Sequence, residues 1–178
     1  MTEKTLIASD FKVVTAQFVR PADTTAYAAG DVVCDSTSAP TVLTLSGVAS
    51  DRVAGGVYSG ILKEVMAICS ANNATLPDLR MWLFDVAPAA VADNAAWTPT
   101  DLELEALVTI LSFPRAAWIA ANAGAAGAGN AVCNPQALEI GFNTVGRVQN
   151  ALFAVITAVS AYTPISGEVF KFRFKVIK

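Results

Sequence analysis

The stretch VFKFRFKVI, Val169 to Ile177, decides the fold. From Phe170 onward it alternates strictly. Phe170, Phe172, Phe174 and Val176 fall on one side of the chain, and Lys171, Arg173 and Lys175 fall on the other. A period of two describes a β-strand with one face in a core and one in water, whereas a helix would scatter these phenylalanines around its circumference. Lysine on the outer face also discourages stray pairing if the strand is a sheet edge. Upstream, LFAVITAVSAY (Leu152 to Tyr162) is rich in β-branched and aromatic residues and apolar on both faces. This predicts a central strand covered on both sides. The link between the two, Thr163 to Glu168, carries Pro164 and Gly167 and reads as a turn, so an antiparallel hairpin is expected.

Further strands follow from the same signals. Val57 to Ser70 sets Ile61, Lys63, Val65 and Ala67 against Leu62, Glu64, Met66 and Ile68, with Asn72, Asn73 and Pro77 marking the turn to the strand Leu79 to Val86. Phe11 to Arg20, Asp31 to Cys34, Thr41 to Ser46, Val108 to Phe113 and Leu138 to Phe142 complete a set of about nine. Helices between successive strands, which a parallel βαβ architecture requires, are missing. The expected fold is therefore all-β: an antiparallel β-sandwich or jelly-roll-like single domain over 1–178, with a flexible N-terminal arm at Met1 to Asp10. One short helix is expected near 100–107. Thr98 or Thr100 would cap it, and Asp101, Glu103 and Glu105 suit its positive N-terminal end. Ala87 to Pro99 is a connector.

Asn122 to Pro135 (NAGAAGAGNAVCNP) reads as a long Gly/Ala-rich loop. It lacks GxGxxG and a GK[ST] ending, so a phosphate cradle is not indicated. A segment that orders against a neighbouring subunit fits better. The expected subunit contacts are Asn122, Ala123, Gly124, Gly127, Gly129, Asn130, Asn134 and Pro135, together with the N-terminal arm.

Composition points the same way. The chain is 54% hydrophobic and 15% charged, against a usual charged share of about 25%. So few charges coat a monomer poorly, unless small alanines fill the surface or neighbouring subunits cover part of it. The net charge is −3, and the basic cluster of Lys171, Arg173, Lys175 and Lys178 reads as a solvated strand face, which predicts no nucleic-acid partner. The chain has no histidine, the commonest general base and metal ligand. Cys34, Cys69 and Cys133 are too widely spaced for a metal site or a disulfide framework. Asp85, Asp93, Asp101, Glu103 and Glu105 form the only acidic concentration, and they read as turn, cap and solvated residues. Trp82, Trp97 and Trp118 would serve a sugar-stacking platform or, preferentially, core and interface packing. The longest uncharged stretch, Ala116 to Leu138, is broken by Asn122, Asn130 and several glycines, so no membrane helix is expected. The N-terminus lacks a signal-peptide pattern, which makes the cytoplasm the expected place of synthesis. The expectation is a protein that is not an enzyme and takes no cofactor.

Three phrases carry a resemblance. RPADTTAYAAGDVV (Arg20 to Val33), LFDVAP with ADNAAW (Leu83 to Pro88 and Ala92 to Trp97), and AYTPISGE (Ala161 to Glu168) are similar, in this order, to phrases of small structural proteins of tailed bacteriophage virions. The resemblance spans most of the chain and brings no catalytic motif. It implies a capsid decoration or cement protein, a homo-oligomer with trimer as the natural guess. Such a protein would bind the major capsid protein or other virion proteins on the capsid surface after assembly in the bacterial cytoplasm. A neck, tail or fibre-base station is the alternative within that family, and a carbohydrate-binding β-sandwich is the alternative outside it.

Overall fold

The computed structural model describes residues 11–49, 58–70, 76–120, 130–144 and 150–178. They form ten strands: β1 (Phe11–Val19), β2 (Leu43–Ser46), β3 (Tyr58–Cys69), β4 (Leu79–Phe84), β5 (Leu107–Phe113), β6 (Trp118–Ala120), β7 (Ala131–Cys133), β8 (Gln136–Thr144), β9 (Ala151–Ala158) and β10 (Val169–Ile177). The helix α1 (Asp101–Glu105) precedes β5. Six strands make a large antiparallel sheet in the order β1-β10-β3-β7-β6, with β8 also on β3; four make a small one, β2-β9-β4-β5. The fold is an all-β sandwich with one short helix, as the alternation requires.

The phenylalanine stripe of β10 is fully buried between the sheets. It meets Val14 and Ala16 from β1, Leu62, Val65 and Ala67 from β3, and Leu79, Met81, Leu83, Leu152 and Ile156 from the small sheet. Each such side chain stabilises the fold by about 1.5–3 kcal/mol through removal from water. All eight residues of β9 are buried. The reason is a third layer: Val32, Cys34, Val42, Val91, Trp97 and Leu107 cover the outer side of β9, packing on Phe153, Val155 and Phe84.

Four expectations need correction. The segment between β9 and β10 is no hairpin. β9 pairs with β2 and β4, while β10 pairs with β1 and β3, so residues 159–168 cross from one sheet to the other. Turn composition marks a reversal without naming the pairing partner. Secondly, β10 is interior to its sheet, so its lysines guard no edge. Thirdly, the β3 alternation breaks at Lys63, where the register shifts against both β10 and β8. One extra residue there re-phases the strand, so Leu62 shares the buried side with Val65 and Ala67. Fourthly, Asp31 to Cys34 forms isolated bridges to Ala96 and Thr157 and no strand. The stretch expected as a loop also contains β7, and β6 precedes it. Asn122 to Gly129 and the N-terminal arm lie outside the described residues.

Gly60 in β3 has no room for a side chain: a Cβ there would sit 2.7 Å from the Val48 carbonyl oxygen and 2.9 Å from the Phe142 ring. Gly60→Ala is expected to destabilise the protein by about 1–3 kcal/mol. Urea unfolding would measure it, and an unchanged midpoint would refute the close approach.

Candidate interaction surface

The three sequence phrases meet in one buried polar cluster. Arg20, at the end of β1, has a fully buried side chain. Its guanidinium donates Nη2–H to Asp93 Oδ2 at 3.1 Å and Nε–H to the Tyr27 hydroxyl. Tyr27 donates in turn to Asp93 Oδ1 at 2.7 Å, and the Cys34 amide donates to the same oxygen at 2.8 Å. Tyr162 stacks on Tyr27 with ring centroids 5.0 Å apart. The Arg20 amide donates to the Glu168 carbonyl at 2.8 Å, and the buried Glu168 carboxylate accepts from the Cys69 thiol. One phrase supplies Arg20 and Tyr27, the second Asp93, and the third Tyr162 and Glu168.

This cluster ties three separate parts of the chain together. Burial pushes the Tyr27 phenol well above its usual range, helped by Tyr162 and by the bond to Asp93. Burial also raises Tyr162, with Glu168 adding to it. Both phenols stay neutral near neutral pH; Tyr27 is hydrogen-bonded to Asp93, while Tyr162 contributes its stacked ring. Burial likewise pushes the Cys34 thiol up to about 11, so it is a poor nucleophile near neutrality. Sequence reasoning treated Asp93 as a turn residue. Its neighbour Asn94 does adopt a left-handed φ of 62°, but Asp93 itself is the acceptor at the centre of the cluster. Among the described residues no group of His, Cys, Asp and Glu is placed to hold a metal ion.

The remaining acidic residues stay apart. Glu103 closes a capping box with Thr100 and also accepts from the Ala89 amide at 2.8 Å. The Thr100 and Ala89 amides hold its carboxyl below the ordinary range. The three tryptophans do not gather at one place: Trp82 and Trp97 line one cavity with Arg80, and Trp118 lies apart. Trp118 is buried and donates to the Phe113 carbonyl. Arg80 lies over the ring of Trp82, and Trp97 meets Phe84 edge-on.

What the fold leaves uncovered is apolar surface on two sides. On the outer face of the large sheet, register places Phe11 beside Ile177 and Ile177 beside Ile61. Val13, Val19, Met66, Ile68, Val132 and Ile119 lie on the same face. Phe11 and Ile119 are 51% and 56% exposed. Four basic residues are interspersed. Lys175 pairs with Glu64 at 2.8 Å and Lys63 pairs with Glu139, while Lys171 and Arg173 have no ion pair among the described residues. The second uncovered region belongs to the other layer: Leu102 is 76% exposed on α1, with Leu104 beside it and Ile110 on β5. Among the described residues β1 is also an open edge, nine residues long and in unbroken register with β10 alone. A groove of ≈ 570 Å³ runs along its Thr15–Val19 stretch, floored by Val33, Ala154 and Ile156. A long regular edge without proline, bulge or repeated charge invites a partner strand.

Of the expected contact residues, Asn130, Asn134 and Pro135 are exposed. They flank β7, and the Asn134 amide is tied to the Ala117 carbonyl at 3.0 Å. The open edge and the two apolar faces were not foreseen as sites. The signal for the first was present in Phe11, Val13 and Val19, which share one face of β1.

No protein-family model matches the chain, and no curated protein matches it. Among solved structures it is similar to the PRD1 vertex protein P5, at 11% identity over 93% of this chain and 96% of that one, with a TM-score of 0.30. It is likewise similar to a chain of the cyanophage Pam1 capsid asymmetric unit, at 11% identity over 99% and 96%, with a TM-score of 0.33. Superposition this loose carries no functional argument.

Two outcomes follow from the cluster. Asp93→Ala removes the buried acid of Arg20 and leaves it only the partly exposed Asp23, 3.6 Å away; it is expected to lower stability by about 3–5 kcal/mol. A loss below about 1 kcal/mol in urea unfolding would mean that the cluster does not hold the layers. Tyr27 and Tyr162 ionise at higher pH in the folded than in the unfolded chain. Their stabilisation is therefore intact below about pH 10, the unfolded value, and is withdrawn as pH rises above it. Thermal unfolding measured across alkaline pH should show that decline, shallower in Tyr27→Phe.

Proposed function

We propose that this chain is a structural protein of a tailed-phage virion, a decoration or cement protein that binds the major capsid lattice and braces the head. The observation that carries this reading is the uncovered apolar surface on two separate layers of one small domain. A monomer rarely leaves such surface open unless neighbours cover it, and a subunit in a repeating shell has neighbours on several sides. The phrases shared with phage structural proteins support the same reading, because here they build the cluster that fixes the fold. The mechanism is burial repeated by symmetry. Each standard interface removes about 1,600 Å² from water, and simultaneous engagement raises the effect through avidity. In this reading the copies form a homotrimer suited to threefold lattice positions. The open edge of β1 and the 122–135 segment, with Asn130, Asn134 and Pro135 at its described end, face the capsid.

Purified protein mixed with capsids lacking it is expected to co-sediment at a fixed ratio and to raise the temperature at which the heads rupture. Co-sedimentation with tails or neck complexes alone would move the protein to the neck, tail or fibre-base station. Binding to neither would overturn the virion reading.

A further inference from the structure

We infer that copies of this chain associate head to tail, the outer face of the large sheet in one copy covering the α1 surface of the next. The inference rests on the structural-protein reading and specifies which surfaces meet.

The argument begins with charge. The chain is acidic overall, at −3, with twelve basic residues. Four of them, Lys63, Lys171, Arg173 and Lys175, project from one sheet face that, among the described residues, carries only Glu64 and Glu139 in return. Both acids are already paired, so the positive charge left over is that of Lys171 and Arg173. On the β1 side these two lie beside Thr15 and Gln17, and on the β3 side beside apolar residues. Register sets Arg173 beside Met66, and Lys171 beside Ile68. The face therefore fits a surface that combines apolar side chains with two acids.

The chain itself carries such a surface. On α1, Asp101 and Glu105 are one helical turn apart and share a side, and both are exposed. Leu102 and Leu104 stand exposed between them. Glu103 is drawn away into the capping box, which fixes the helix and leaves Asp101 and Glu105 as its outward charges. Within one copy the two surfaces cannot meet. α1 leads into Ala106 and Leu107, which pack on the far side of the small sheet, whereas Lys171 and Arg173 lie on the outer side of the large one. A two-fold pairing of the basic face with itself would oppose like charges, which is costly. Contact between unlike surfaces of successive copies satisfies both, and such contacts form a ring if the rotation closes.

Charge reversal tests this without any capsid present. Wild-type protein in sedimentation velocity should gain mass with concentration, and raising the salt should weaken the association by screening. Lys171→Glu with Arg173→Glu makes both surfaces acidic, and Asp101→Lys with Glu105→Lys makes both basic. Each double variant alone should associate at least about tenfold more weakly than wild type. An equimolar mixture of the two should recover association, because each basic surface again finds an acidic one. Recovery also shows that both variants are folded. A wild type that stays monomeric, or a mixture that stays dissociated, overturns the proposal. Because capsid binding is read separately, failure of either measurement leaves the other standing.

Discussion

A buried guanidinium requires an acid, and here the acid comes from a distant part of the chain. Arg20 directly follows β1 of the large sheet, while Asp93 belongs to the irregular layer outside the small one. Joining them draws residues 85–97 down over β9 and fixes the position from which α1 starts. Tyr27 completes the bond network, and Tyr162, stacked on it, and Glu168 bring in the chain as it crosses between sheets. Removing one partner from such a pair costs far more than the intact pair contributes. The cluster therefore acts as a specification of where the layers sit more than as a source of net stability.

That placement explains the surface. The third layer covers the outer side of β9, and apolar positions remain exposed on the outer side of the large sheet and on α1 and β5. The crossing segment is held independently, since Arg115 donates to the Leu76 and Ala161 carbonyls and to the Ser160 hydroxyl. The sandwich thus presents its faces on a frame locked at both ends of the β9–β10 connection.

The sequence makes some of this legible and hides the rest for physical reasons. The alternation of Phe170 to Val176 gives β10 its buried face, and the two-sided apolarity of Ala151 to Ala158 gives β9 its central position. Both are local signals. The partner of each strand is not local: Pro164 and Gly167 look the same whether the chain returns to its neighbour or passes to the other sheet. The bulge at Lys63 leaves no mark, because Lys63 and Glu64 are equally polar. β6 and β7 are three residues each, too short to show a period. Asp93 sits among alanines beside Asn94, so its composition says turn, and nothing local marks it as the partner of Arg20 and Tyr27.

The pairing of β1 with β10 joins the first described strand to the last, and the phenylalanines that complete the core arrive with β10. The large sheet cannot close until β10 has left the ribosome. Loop-closure entropy must be overcome before those distant contacts form, which slows folding of such topologies. In the interval, β1 and β3 each lack the strand that later separates them. Sticky intermediates are a characteristic hazard of that situation, so rapid high-level synthesis would favour clumping over maturation.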